Sequence, residues 1–234
     1  MFIVLNIFLI ILAYLIGSIP TSVWIGRYFY NIDVREHGSG NAGATNTFRV
    51  LGTKAGIVVF IVDILKGFGA VNLIHFTSYY IPYSGSYTNI QLLLGISAMI
   101  GHIFPVYVGF RGGKGVATLF GVIWAISFYP TLIMAGIFLI TLIITRYVSL
   151  SSMISGFSFP FLIILVFKET TPTLIIFSLI MAVLMLFTHQ KNIERLLKKE
   201  EKKANLPKIK KEHLQKLKKI KRKKKKTVEA YLNS

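Results

Sequence analysis

The sequence contains no cysteine among its 234 residues. A disulfide framework, a thiolate nucleophile and a cysteine-ligated metal are therefore excluded. Acidic side chains are scarce: 9 Asp and Glu stand against 27 Lys and Arg. Charged residues of either sign make up only 15% of the chain, where roughly 25% is usual for a soluble domain. What is present is apolar. Hydrophobic residues account for 53%, and the mean hydropathy is +0.62. That profile excludes collagen-like and disordered classes and is too apolar for an ordinary water-soluble domain. The net charge of +18 is unevenly placed. From His189 onward there are 18 basic and 5 acidic residues, while residues 1–188 hold 9 and 4. A nearly uncharged body with a basic end is the composition of an integral membrane protein with a cytoplasmic terminus. The length fits one membrane domain.

The first apolar run extends from Phe2 to about Ile25. It lacks a basic n-region and an A-x-A cleavage pattern, and it is too long for a signal-peptide core, so it is expected to stay as a transmembrane helix. Residues 26–53 form a polar, glycine-rich insert. Further spans are expected over roughly 54–75, 90–109, 151–167 and 172–188, with an aromatic, uncharged interfacial loop at 76–89. The segment 115–147 is ambiguous. As one helix it would be about 46 Å long, well beyond the ~30 Å hydrocarbon core. As two helices each would be about 22 Å and would need flanking helices or a thinned bilayer. Charge parity favours two. Arg27, Arg35, Arg49, Lys54, Arg111, Lys114, Arg146 and the tail then share one face, and the opposite loops hold only Lys168. With one crossing, Arg146 and the tail would change sides against the positive-inside bias. The expected fold is an all-α integral membrane bundle of seven transmembrane helices, N-terminus outside and C-terminus cytoplasmic. The division is a membrane domain, 1–202, and a Lys-rich cytoplasmic tail, 203–234. The tail can be a solvated extension, a cationic helix on anionic lipid, or a nucleic-acid contact.

Three polar clusters interrupt the apolar chain. In the first, 38-GSGNAGATN-46 followed by Arg49, Gly38, Gly40 and Gly43 can adopt positive φ and turn N–H groups into one anion-binding concavity. Ser39, Asn41, Thr45 and Asn46 surround them, and Arg49 adds a full charge. The second, 101-GHIFPVYVGFRGGKGVAT-118, contains a phosphate-type turn at Gly112, Gly113, Lys114 and Gly115. It lacks the G-x-x-x-x-G-K-[ST] order of a Walker A loop, so ATP hydrolysis is not supported. At a helix start it still offers N–H groups, a positive dipole end and an ammonium. His102 at the other end is more often a packed histidine than a catalyst. The third, 189-HQKNIERLLKKE-200, places His189 and Asn192 on one helix face. The H-x4-D signature of soluble-type glycerolipid acyltransferases occurs nowhere in the chain. Asp63 and Lys66, at i, i+3 within a span, read as a structural pair. Ser149, Ser151 and Ser152 can cap a helix or bind phosphate.

In this order the motifs resemble those of the bacterial acyl-phosphate:glycerol-3-phosphate acyltransferases, the PlsY family. The matching pieces are GSIPTS, D-x-R-x-x-GSGNAGATN-x-x-R, G-x-x-x-x-x-D-x-x-KG, GH-x-FP…F-x-GGKGVAT, RYVSLSS and H-x-x-NI-x-RL, from Gly17 to about Leu197. The family's third motif usually continues with a glycine near Lys198, where this chain reads KKE, and the tail after Lys202 lies outside the resemblance.

The resemblance implies seven transmembrane helices in the bacterial cytoplasmic membrane, with the site facing the cytoplasm. It implies transfer of a fatty acyl group from acyl phosphate to glycerol 3-phosphate, the first step of phospholipid synthesis, giving 1-acyl-glycerol 3-phosphate (lysophosphatidate) and phosphate. Acyl-CoA and acyl carrier protein are not direct donors. Ser39, Arg49, Lys114, Ser152, His189 and Asn192 carry over as active-site positions. The roles expected are catalytic for Ser39, Lys114 and His189. Substrate binding is expected of Gly38, Gly40, Asn41, Asn46, Arg49, Gly112, Gly113, Gly115, Ser152 and Asn192. No cofactor, metal or nucleic acid is implied. Partners are the two substrates, membrane lipids and a soluble enzyme that makes acyl phosphate. No Ser-His-Asp triad can be assembled from the available acids. An alternative from another class is an organic-phosphate or anion transporter, which would place cationic groups at membrane depth with access from both faces.

Overall fold

A computed structural model of the chain describes residues 2–77 and 85–204. Every regular element among them is helical. The first apolar run was expected as one helix and is instead a bent pair, α1 (Phe2–Gly17) and α2 (Thr21–Tyr30), meeting at 42°. The break falls at Ser18-Ile19-Pro20. Proline has no N–H to continue the ladder and its ring fixes φ, so α1 stops and α2 restarts from the Pro20 carbonyl, which accepts from Val23 and Trp24.

The polar insert contains a 3-10 turn, Val34–Glu36, and the short α3 (Ala44–Val50). Then come α4 (Thr53–Asn72), prolonged by a 3-10 turn to Phe76, and α5 (Gly85–Ile103). Residues 85–89 therefore belong to a helix rather than to the expected loop, and 78–84 lie outside the described residues. The region 115–147 is two helices, α6 (Val116–Ile126) and α7 (Phe128–Thr145), parted at Ser127. Pro130 lies in the first turn of α7, where a missing N–H leaves no bond unmade. The chain continues through α8 (Val148–Phe161), which runs into a π turn, Leu162–Val166, then α9 (Pro172–Thr188) and α10 (Gln190–Leu197), bent 59° from α9.

Among the described residues four helices are long and apolar enough to cross a membrane, and six if each bent pair makes one span. The seventh of the expected count is α6, with 11 residues, about 16 Å of helix. It is flanked closely. A Cβ on Gly67 would strike the Thr118 carbonyl, and one on Gly121 the Ile64 carbonyl, so α4 and α6 touch backbone to backbone.

Two apolar clusters hold the bundle. Val122, Ile123, Phe159, Phe177 and Met181 join α6, α8 and α9, while Leu9, Ala13, Ala70, Leu94 and Ala98 join α1, α4 and α5. Outward-facing Leu139, Ile143, Ile144 and Leu165 are each more than half exposed. Apolar residues on both the inside and the outside of a bundle call for a hydrocarbon solvent. The residues up to Lys202 form one compact unit, and 205–234 lie outside the described residues.

Candidate active site

The first cluster is built on Asp33. Its carboxylate accepts from the Arg35 backbone at 3.0 Å and from the Arg35 guanidinium at 3.0 and 2.8 Å, with Arg27 at 2.8 Å. These bonds, Arg35 foremost, hold the Asp33 carboxyl well below the usual carboxylate range. Arg35 also donates to the Val108 carbonyl at 2.8 Å and so ties this loop to the turn after α5. Gly38 and Gly40 take φ of +66° and +72°, which favours glycine. Asn46, fully buried at the start of α3, pins the loop from within. Its Oδ1 accepts from the Ser39 N–H at 2.8 Å, and its Nδ2 donates to the Val34 and His37 carbonyls at 2.7 and 3.1 Å.

The second cluster folds back on the end of α5. The N–H groups of Gly112 and Gly113 donate to the Ile103 and His102 carbonyls at 3.1 and 3.2 Å, satisfying acceptors that every helix C-terminus leaves open. A side chain at Gly112 would strike the His102 carbonyl, and one at Gly113 the His102 ring. Gly115, at φ +77°, then turns the chain into α6. This geometry sends Lys114 toward α10, where its ammonium donates to Asn192 Oδ1. Burial, chiefly, brings the Lys114 pKa down to about 8; the Glu201 carboxylate opposes the fall, and Arg195 and Arg49 add to it.

The third cluster lies where α9 ends. His189 Nδ1 is 2.9 Å from the Met185 carbonyl, so this nitrogen donates and leaves Nε2 as the acceptor. Asn192, one turn on, is buried, and its Nδ2 donates to Glu201 Oε1 at 2.8 Å. The same carboxylate accepts from Ser149 Oγ at 2.9 Å and from Arg195 Nε at 2.7 Å, with Arg49 at 3.9 Å. Burial would raise the Glu201 carboxyl, but the bonds from Arg195, Ser149 and Asn192 together outweigh it and hold it below the usual range.

The clusters meet around one cavity of about 440 Å³. Ser39, Gly40, Asn41, Asn46, Arg49, Lys114, Gly115, Ser152, His189 and Asn192 line it, together with Ser149, Arg195 and Glu201. Phe60, Phe138 and Phe187 add apolar surface to the lining. Gly38, Gly112 and Gly113 are not among the lining residues. They shape the turns that carry Ser39 and Lys114. Asn46 reaches the cavity with its amide already engaged by the loop, and Ser152 donates to the Val148 carbonyl at 2.9 Å.

His102 lies at the cavity floor with Nδ1 3.0 Å from Thr118 Oγ1. Glu201 is the residue that sequence reasoning missed. The one available signal was an acidic pair, Glu200-Glu201, in an otherwise basic stretch. Among the described residues no group of three or more His, Cys, Asp or Glu side chains could hold a metal ion. The arrangement can neutralise phosphate with Arg49, Lys114 and Arg195, and accept a proton at His189 Nε2.

A protein-family model described as glycerol-3-phosphate acyltransferase matches residues 7–199. A glycerol-3-phosphate acyltransferase of Listeria welshimeri is 47% identical over 199 residues, covering 84% of this chain and 96% of the relative. One of Staphylococcus carnosus is 42% identical over 202 residues, with the same shares covered. Among solved structures, the crystal structure of PlsY, an integral membrane glycerol 3-phosphate acyltransferase in its glycerol 3-phosphate form, superposes with a TM-score of 0.74. It is 37% identical, over 86% of this chain and 96% of that one. The transporter alternative finds no support in these likenesses.

Proposed function

The chain belongs to the glycerol-3-phosphate acyltransferase family, and we propose that its acyl donor is acyl phosphate. It is a multi-pass membrane acyltransferase acting in phospholipid synthesis. In the proposed reaction the glycerol 3-phosphate hydroxyl oxygen attacks the acyl carbonyl carbon. The acyl C–O bond to phosphorus breaks, phosphate leaves with the electron pair, and lysophosphatidate forms. The hydroxyl proton passes to His189 Nε2 or to a substrate phosphate oxygen. An acyl phosphate is a mixed anhydride with a good leaving group, so the protein needs to supply charge neutralisation and alignment rather than a covalent relay.

One observation carries this reading. Three cationic side chains, Arg49, Lys114 and Arg195, line the same cavity as Phe60, Phe138 and Phe187. Two phosphates and an acyl chain need that combination of surfaces. Lys114 and Arg49 hold phosphate, Asn192 and His189 orient glycerol 3-phosphate, and Ser39 and Ser152 hydrogen-bond phosphate or the developing oxyanion. Ser39 is exposed at the loop tip, free to approach a substrate.

The proposed setting is the bacterial cytoplasmic membrane with seven crossings, α6 included, and the cavity toward the cytoplasm, where a soluble enzyme would deliver acyl phosphate. The one-sided distribution of Lys and Arg supports it. Purified protein should form lysophosphatidate from acyl phosphate and glycerol 3-phosphate and none from acyl-CoA. Turnover with acyl-CoA alone would overturn the donor assignment.

A further inference from the structure

Glu201 stands past the end of α10, in a stretch of chain where a carboxylate would be expected to remain in water among lysines. It is instead buried, with 2% of its side chain exposed. Both oxygens are used. Oε1 accepts from Asn192 Nδ2 at 2.8 Å and Ser149 Oγ at 2.9 Å, and Oε2 accepts from Arg195 Nε at 2.7 Å. Its neighbour Glu200 is exposed.

The consequence runs through the amide of Asn192. An amide has one donor end and one acceptor end. With Nδ2 committed to Glu201, Oδ1 must face the other way, and there it receives the Lys114 ammonium. Reversing the amide would put an NH2 group against that ammonium and a carbonyl against the carboxylate, both repulsive. The arrangement of residues therefore leads from Glu201 through Asn192 to Lys114.

We propose that Glu201 is a positioning residue for the acyltransferase reaction, orienting Asn192 so that it holds the Lys114 ammonium toward the substrate phosphate. The proposal rests on the phosphate-binding role given to Lys114 above. Glu201 also supplies a negative charge amid the cations of the pocket. The charged and titratable groups facing Lys114 are Glu201 and Arg195 from the C-terminal side, Arg49 from α3 and His189 from the end of α9. Removing the carboxylate leaves the ammonium among like charges and in a buried place, so it loses its proton at lower pH. The same carboxylate holds Arg195 and Ser149 at the cavity edge.

The experiment uses the full chain in detergent, with Glu201→Gln, Glu201→Asp and Glu200→Gln. Glutamine keeps the size and one acceptor but drops the charge. The readouts are kcat/KM for glycerol 3-phosphate across pH and, independently of any donor, the pH dependence of glycerol 3-phosphate binding by calorimetry. Glu201→Gln should lose about twofold in kcat/KM at pH 7 and about tenfold at pH 9. Its descending limb should move to lower pH by about one unit, the size expected for losing one nearby charge. Glu201→Asp should recover part of that shift, and Glu200→Gln should behave as the parent.

Loss of melting temperature with an unmoved limb would make Glu201 merely structural and overturn the proposal. Tighter glycerol 3-phosphate binding in Glu201→Gln would also overturn it, by making the carboxylate a competitor for the phosphate place. If the parent binds glycerol 3-phosphate but does not use acyl phosphate, the donor assignment fails, and the binding limb still decides the role of Glu201.

Discussion

Lys66 and Lys114 each feel a carboxylate, and their surroundings differ in one respect. Lys66 lies within α4 with its ammonium 2.9 Å from Asp63 and 2.9 Å from the Ile19 carbonyl. Asp63 also accepts from Thr21 at 3.4 Å. The void beside Lys66 is about 10 Å³, too small for a substrate, while Asp63 also lines the larger cavity together with His102. Lys114 has a single amide partner, Asn192, and faces the cavity of about 440 Å³. A buried charge whose bonds close within the protein fastens helices. A charge with unused donors turned to an open cavity awaits a ligand. The Asp63–Lys66 pair ties α4 to the α1–α2 bend, and that bend is what carries the glycine loop to the site.

The contrast can be broken from the side of the buried pair, where the effect should be greatest. Lys66→Met leaves Asp63 uncompensated, at a cost of about 3–5 kcal/mol, read as lost folded protein in detergent. A double variant, Lys66→Met with Asp63→Leu, should recover most of the fold and keep measurable acyl transfer. A well-folded double variant with no activity would put the pair in the chemistry. Lys114→Ala and Arg49→Ala should do the reverse, with normal insertion and melting. Each removes a charge-assisted bond worth about 1.5–3 kcal/mol, so kcat/KM should fall by tenfold or more. Near-normal rates in either would unseat the phosphate assignment.

A pH profile sharpens the same contrast. In the proposed reaction Lys114 serves as an ammonium, and its pKa is brought down to about 8. The charged form is therefore present below that pH and lost above it, so kcat/KM for glycerol 3-phosphate should decline as pH rises through about 8. Lys114→Arg should move the decline upward, because a guanidinium stays protonated. A profile flat to pH 10 in the parent would mean that Lys114 carries no essential proton.

The smallest effect is expected from the tail. Truncation after Ala204 keeps Glu201 and should leave detergent activity within about twofold, the scale of surface changes. Truncation after Lys199 removes Glu201 and should cost at least as much as Glu201→Gln. Equal activities would detach the C-terminal turn from the site. Single cysteines, in a chain that has none, test the proposed orientation: position 171 should label from outside, and positions 54 and 234 only after permeabilisation.

Much of this protein was legible as local pattern. The apolar runs located α4, α7 and α9, because any helix in hydrocarbon must be apolar along its whole length. Charge parity divided 115–147 into two helices where length against bilayer thickness left one or two open, and the division falls at Ser127, close to the Tyr129-Pro130 pair. Glycines beside Asn, Arg and Lys marked two polar clusters, and His189 with Asn192 marked a third, because such groups are too costly in an apolar chain to be idle. The bend at Pro20 was less visible, since a run of hydropathy does not register a missing N–H. Gly38, Gly112 and Gly113 were expected to bind substrate; they are not among the residues that line the cavity. Whether a glycine N–H faces a ligand or a helix end depends on which carbonyls stand nearby, and these belong to other segments.

The sequence by itself determined the membrane habitat, the helical class and the residue types of the site, because hydropathy, charge placement and short-range spacing are properties of neighbouring residues. Only the tertiary structure decided which charges meet. Lys114 reaches Asn192 across 78 positions, and Glu201 reaches Ser149 across 52. The fate of Glu201 shows why. Its local sequence is that of a solvated, lysine-rich end. Burial there is favourable only because three donors from α8 and α10, assembled by the packing of the bundle, replace the water it gives up.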